Sequence, residues 1–261
     1  MASVRFDDDL IACADTLRRG DPERFRAAMA APVAARPALF AIYAFNVEVA
    51  RAPWLTEEPM IAEMRLQWWR DALEEIRSGG TVRRHEVVTP LARVLDAEGA
   101  ALLDTLIAAR RWDIYKDAFE DAAHFDRYLT ETSGHLMLAA ARALGPVEAA
   151  PVLDAGYAAG LANFLRAIPA LEAAKRVPLV DGRTTAVADL ARGGLARLKQ
   201  ARAARSSVSR AASPALLAAW QAGTVLRRAA ETPERVAQGA LTPAPFRDRL
   251  ALMARGLSGK W

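Results

Sequence analysis

Carboxylates, three histidines and one thiol are the groups with which this chain could do chemistry, and the acids fall into three clusters. Asp71, Glu74 and Glu75 stand at i, i+3 and i+4 and so share one face of a helix. Asp117 and Asp121, with Glu120 between them, have the DxxxD spacing of sites that hold a diphosphate through metal ions. Asp7, Asp8 and Asp9 form the third cluster. Each has a plainer reading. Arg70 and Arg77 share the helix of the first cluster, the segment YKDAFEDAAHFD is polar throughout, and three aspartates suit the positive end of a helix dipole. His124 and His135 are 11 residues apart with no third ligand in view, so no metal site is expected. Cys13 has no neighbouring base to lower its pKa and reads as a packing residue. No Gly-rich phosphate loop, GxSxG elbow or Ser/His/Asp order is present, and no catalytic residue is expected from these groups.

The elements that must position such residues are helices. Of 261 residues 59 are Ala, the best helix former and one depleted in strands, while β-branched runs are short and scattered. The composition, 52% hydrophobic, points to an all-α fold and leaves room for a sizeable core without disulfides. Helical periodicity predicts a helix over 7–19 and a restart at Asp21-Pro22-Glu23. Further helices are expected over 37–51, from 56 to Gly79-Gly80, after His85, and over 98–119, 122–144 and 148–172. Pro169 should bend the last of these, and segments from Thr184, Pro214 and Pro243 complete nine to eleven helices. The stretches 37–49 and 155–165 are apolar nearly all round and must be central. No repeat or linker divides the chain, so residues 1–261 read as one domain, a helical bundle with room for a cavity.

Charge is uneven. Residues 1–180 hold 21 basic and 26 acidic side chains, net −5, and residues 181–261 hold 14 and 5, net +9. Arg192, Arg197, Lys199, Arg202, Arg205 and Arg210 follow one another with no acid between. Arg197, Lys199, Arg202 and Arg205 are the candidates for a surface that meets an anionic membrane or an acidic partner. The bland alternative is a solvated helix face. Nucleic acid is not expected, since no aromatic or glycine pattern of a recognition module accompanies the bases. The longest uncharged run, 16 residues between Arg210 and Arg227, is short of a membrane span. The acidic amino terminus is unlike a targeting peptide, so the expected location is cytoplasmic, or peripheral at the inner membrane.

The strings GDPERFRAAMAAPVAARPALFAIYAFNVEVARA and EPMIAEMRLQWWRDAL, followed by DAFEDAAHFDRYLTETSGHLMLAAARALG and GLANFLRAIPALEAAKRVPLV, resemble the squalene/phytoene synthase family over roughly residues 20–180. The resemblance implies the all-α isoprenoid-synthase fold, a bundle around an apolar cavity. It implies Tyr43, Phe45, Arg51, Trp68, Tyr128, Asn163 and Arg166 as cavity or ligand-binding residues. Family members join two allylic diphosphates head to head, with magnesium held by an aspartate-rich motif on each of two facing helices.

Laid on Tyr43-Ala44-Phe45, the first family motif puts its aspartates on Ala50, Arg51 and Trp54. The second matches at Asn163 and Arg166, but its acids fall on Ala167, Ala170 and Leu171. A magnesium–diphosphate pair facing such a wall lacks several charge-assisted contacts, each worth about 1.5–3 kcal/mol, and about 1.36 kcal/mol is tenfold in rate. The chain therefore resembles the branch of the family that serves respiratory complex I assembly and is degenerate at these motifs. That implies a non-catalytic assembly or lipid-binding factor, with a respiratory-complex subunit or an isoprenoid or lipid as partner and no cofactor. Two alternatives stand beside it. One is an active prenyltransferase using magnesium through Asp71, Glu74 and Glu75, and the other a lipid-binding or membrane-surface protein of different purpose.

Overall fold

A computed structural model describes residues 6–242, 252–256 and 261. Its first helices are α1 (Asp8–Gly20), α2 (Pro22–Ala30), α3 (Arg36–Arg51) and α4 (Pro59–Arg77). They are followed by α5 (Val88–Ala92), α6 (Ala97–Arg110), α7 (Trp112–Tyr115), α8 (Ala122–Leu129) and α9 (His135–Leu144). The second half holds α10 (Ala149–Ala173), α11 (Thr184–Ala203), α12 (Ala222–Glu231) and α13 (Glu234–Ala237). Among the described residues there is no β-sheet, only an isolated bridge between Val147 and Val208. The start of the segment expected from Pro243 lies outside them, and of the remainder residues 252–256 are helical.

The two stretches apolar all round are the centre of the bundle. Twelve of the sixteen residues of α3 are buried, and α1, α5 and α9 pack against it. The segment Val33–Trp54 is long and apolar enough to cross a bilayer, yet 72% of its window is buried inside the protein, as in a core helix. Helix α10 packs on α9, α11 and α12 and runs through Pro169 without a break.

Three elements differ from expectation. The helix expected over 98–119 ends at Arg110, and α7 closes at Lys116 in the left-handed region, with φ of 59°. That turn lets the Phe119 ring stack on Trp112 with centroids 3.9 Å apart. In a straight helix, residues seven apart are separated by about 10 Å along the axis. The helix expected over 122–144 is continuous but widens into a π-turn at Thr130–Gly134. The Pro214 segment is a 3-10 helix, Ser213–Ala219.

Candidate functional site

A cavity of about 570 Å³ opens between the start of α2, the end of α3, α6 to α8, the π-turn and the middle of α10. Asp21 shapes one edge. Its side chain caps α2 by accepting from the Arg24 amide at 2.9 Å, and it pairs with the Arg24 guanidinium at 2.6 Å. The π-turn shapes another, as such bulges do at functional sites. It brings Thr132 and Ser133 to the wall, where the Thr132 hydroxyl donates to the Tyr128 carbonyl at 2.6 Å. Only glycine fits opposite, since a Cβ on Gly160 would lie 2.5 Å from Ser133 Oγ.

The polar floor is a buried network. Tyr128 donates its hydroxyl hydrogen to Asp113 Oδ1 at 2.8 Å. Arg110 Nη1 donates to Asp113 Oδ2 at 3.0 Å and to the Tyr128 oxygen at 2.9 Å. Arg176, 8% exposed, donates to the Asp113 carbonyl and lies 4.6 Å over the Trp54 ring. Burial, and then the neighbouring Asp113 carboxylate, pushes the Tyr128 phenol well above its ordinary value, so it stays a donor. Apolar lining is supplied by Trp112, Phe164, Leu129 and Leu171, the Trp112 and Phe164 rings packing edge-on against Tyr128.

Four arginines line the cavity (Arg24, Arg110, Arg166 and Arg176) against three carboxylates, Asp21, Glu23 and Asp113. Each carboxylate has an arginine partner: Asp21 pairs with Arg24, Glu23 with Arg26 at 2.5 Å, and Asp113 with Arg110, while Glu23 Oε2 is buried with no hydrogen-bond partner among the described residues. Arg166 donates to Gln221 Oε1 at 3.0 Å. Among the described residues neither Arg166 nor Arg176 has a carboxylate partner, and the buried Nε atoms of Arg110 and Arg176 lack hydrogen-bond acceptors.

Of the seven residues that the family resemblance implied, the structure brings Tyr128, Asn163 and Arg166 to this cavity. Tyr43 is in the core beside it, its hydroxyl donating to the Ala215 carbonyl at 3.2 Å. Phe45 is fully buried against Trp69, ring centroids 5.4 Å apart. Trp68 sits on the far side of that cluster, against His85 and under Arg83. Arg51 is exposed and faces Glu48 at 3.7 Å. Helix α3 reaches the cavity through Ala50, near its end; Tyr43, seven residues earlier, shares that face but lies about 10 Å further along the axis, and Phe45, five residues earlier, points to the other side. Ala167 and Leu171 line the wall with Ala50, and Ala170 is exposed. Arg24, Arg110, Asp113 and Arg176 were not singled out from the sequence. The tight turn that brings Arg176 over Trp54, with Lys175 at φ 60°, leaves no motif to read.

The acidic clusters have structural roles. Glu74 pairs with Arg77 at 2.7 Å and Glu75 with Arg83 at 2.6 Å, while Asp71 accepts from Gln67, on a groove shared with α6 and away from the cavity. Asp121 caps α8 by accepting from the His124 amide at 2.7 Å, and Asp7 caps α1. Among the described residues no three His, Cys, Asp or Glu side chains are placed to share a metal ion. The Cys13 thiol is buried, donates to the Glu86 carbonyl at 3.4 Å and is pushed up to about 12 by burial and the nearby Asp9. In the basic stretch, Lys199 and Arg205 are exposed. Arg197 is half-buried over the Tyr157 ring at 3.8 Å and bonds Asp126 at 3.4 Å, and burial lowers the pKa of half-buried Arg202.

The fold superposes on a dehydrosqualene synthase solved with a ligand, with a TM-score of 0.76 and 16% identity over 96% of this chain and 95% of that one. A squalene synthase from Alicyclobacillus acidocaldarius gives 0.55 and 18% identity over 96% and 94%. These likenesses show the all-α isoprenoid-synthase fold. Among curated proteins the chain is 30% identical over 168 residues to the "NADH dehydrogenase (ubiquinone) complex I, assembly factor 6 homolog" of Drosophila melanogaster, covering 60% of this chain and 50% of that protein. It is 26% identical over 185 residues to complex I assembly factor 6 of Bos taurus, covering 63% and 51%. The chain thus spans about half the length of the curated relatives it matches. The family model for squalene/phytoene synthase matches residues 17–252, and the chain belongs to that family.

Proposed function

We propose that this chain is a non-catalytic member of the family that acts as an assembly or lipid-binding factor, for respiratory complex I as its curated relatives are named. One observation carries the reading: Ala50, Ala167 and Leu171 line the cavity at positions where the resemblance places metal-binding acids. Magnesium takes hard oxygen ligands, one or two carboxylates together with substrate phosphates. Each of the three carboxylates on this wall pairs with an arginine, which leaves Glu23 Oε2 as the one unpartnered buried carboxylate oxygen among the described residues there, a poor donor set for a magnesium–diphosphate pair. Asp71, Glu74 and Glu75 do not compensate, since none of them lines the cavity, Asp71 and Glu74 lie on another groove, and Glu74 and Glu75 are paired with arginine.

The partner proposed is a respiratory-complex subunit or a lipid, met at or near the inner membrane. The experiment is incubation with farnesyl or geranylgeranyl diphosphate and magnesium, following pyrophosphate release. No release above the protein-free blank is expected, and magnesium-dependent turnover would overturn the non-catalytic reading. For the assembly role, deletion of the gene in its own host should deplete assembled complex I on native gels, and unchanged complex I would refute it.

A further inference from the structure

We infer that α11, α12 and the segment at residue 255 build an anion site away from the central cavity, in which Arg202, Arg227 and Arg255 converge on one phosphate group. None of these arginines lines the cavity, so the site is independent of whether that cavity is catalytic. The packing of α11 on α12 sets the geometry. The Arg202 guanidinium lies over Gly223, its Nη1 3.7 Å from where a Cβ would stand. Arg227 follows Gly223 by four residues and so shares its face of α12 one turn on. Trp220 precedes Gly223 by three, and its carbonyl accepts from Arg255 Nη1 at 2.8 Å. Three segments thus bring three guanidinium groups together, and Arg227 and Arg255 both act on Arg202 as like charges.

Among the described residues no carboxylate pairs with Arg202 or Arg227. Arg202 stands in the last turn of α11, where an arginine often caps a carbonyl, yet its Nε is buried with no acceptor. Like charges gathered on a half-buried guanidinium are costly unless an anion joins them. A phosphate fits that need. The planar fork of arginine meets its oxygens two at a time, and a doubly charged group offsets more than one guanidinium. The carboxylates of an acidic peptide are single charges spread along a chain, which suits a convergent cluster less well. Lys199 and Arg205, exposed and three residues to either side of Arg202, extend the positive surface. The same head chemistry could arrive on a lipid or as free phosphate.

The test titrates the full chain, in EDTA, with inorganic phosphate, dihexanoyl phosphatidic acid, zwitterionic dihexanoyl phosphatidylcholine and a polyglutamate peptide, read by calorimetry. Binding of inorganic phosphate or phosphatidic acid is expected. A tighter phosphatidic acid assigns the lipid source, and an equal or tighter inorganic phosphate assigns free phosphate; both support the site. Arg202→Gln and Arg227→Gln should each weaken binding roughly ten- to a hundredfold, while Arg166→Gln, which alters the central cavity, leaves it unchanged. Gly223→Asp sets a carboxylate beside Arg202, where the neighbours stand at ordinary contact distance, and should weaken binding at least about tenfold. The neutral Gly223→Asn should keep it, so this pair remains informative if Arg202→Gln fails to fold. The inference is overturned by no phosphate binding, by phosphatidylcholine binding as tightly as phosphatidic acid, or by polyglutamate binding in place of phosphate. It is equally overturned if affinity falls only in Arg166→Gln, or stays unchanged in both arginine variants and in Gly223→Asp. Pyrophosphate release from prenyl diphosphates bears on the non-catalytic reading alone.

Discussion

Replacement of Asp113 by alanine tests whether the floor of the cavity is a linked charge network. Asp113 is 7% exposed and accepts from Arg110 at 3.0 Å and from the Tyr128 hydroxyl at 2.8 Å. Removing one partner of a buried pair leaves the other charge uncompensated, at a cost of about 3–5 kcal/mol. Whole-domain stabilities are only about 5–15 kcal/mol, so a large share of the total is at stake. For a chain of this size about 1 kcal/mol moves Tm by roughly 2–4 °C, which puts the expected fall at roughly 6–20 °C. Tyr128→Phe removes the hydroxyl's bonds to Asp113 and Arg110 but leaves their ion pair in place, and should cost less, about 1.5–3 kcal/mol. Thermal and urea unfolding followed by circular dichroism measure both. The decisive arm is the double variant Asp113→Leu with Arg110→Met, in which neither charge remains; it should recover most of the loss. A fall in stability below about 1 kcal/mol for Asp113→Ala, or no recovery in the double variant, would refute the network.

Gly160→Ala should destabilise by about 1–3 kcal/mol in urea unfolding, because the added Cβ meets Ser133 Oγ at 2.5 Å in a close-packed contact; an unchanged midpoint contradicts the close approach of α10 to the π-turn. The Cys13 thiol, pushed up to about 12, should react with a disulfide reagent at pH 8 only as the protein unfolds, and rapid labelling of the native protein would count against its burial. Glu75 and Asp96 have folded pKa values below their ordinary 4.5 and 3.8, Glu75 through Arg83 and Asp96 through the Gly99 amide and then Arg142. Depressed carboxylates give stability that is fully present above those ordinary values and lost as pH falls through the folded ones. Tm should therefore decline below about pH 4.5, and less steeply in Asp96→Asn; identical slopes would exclude the contribution of Asp96. Of the four surface candidates Arg197, Lys199, Arg202 and Arg205, Lys199 and Arg205 are exposed. If they meet an anionic surface, replacing both with Gln should weaken sedimentation with anionic vesicles by roughly thirtyfold at low salt, at about 1 kcal/mol each. Equal pelleting of wild type and variant would return them to a solvated face.

The sequence by itself determined the class of fold and its centre. Alanine abundance and a 3.6-residue apolar period act through local backbone preference and one-dimensional spacing, so α3 and α10 could be recognised as core helices without coordinates. Asp21 could likewise be read as a cap, because capping couples residues only three apart. The tertiary structure alone decided which side chains share the cavity. Arg110 and Asp113 are three residues apart, but Tyr128 and Arg176 join them from separate segments, and Arg176 reaches Asp113 across 63 residues. Position along the helix and direction both mattered: Tyr43 shares the face of cavity-lining Ala50 but sits two turns deeper in the core, and Phe45 turns to the other side. Charge was misleading for the same reason. Arg197 has no acid near it in the sequence, yet Asp126 stands beside it from 71 residues away, and Arg192 bonds Asp189 one turn back. Electrostatic pairing depends on separation in space, which a count along the chain does not contain.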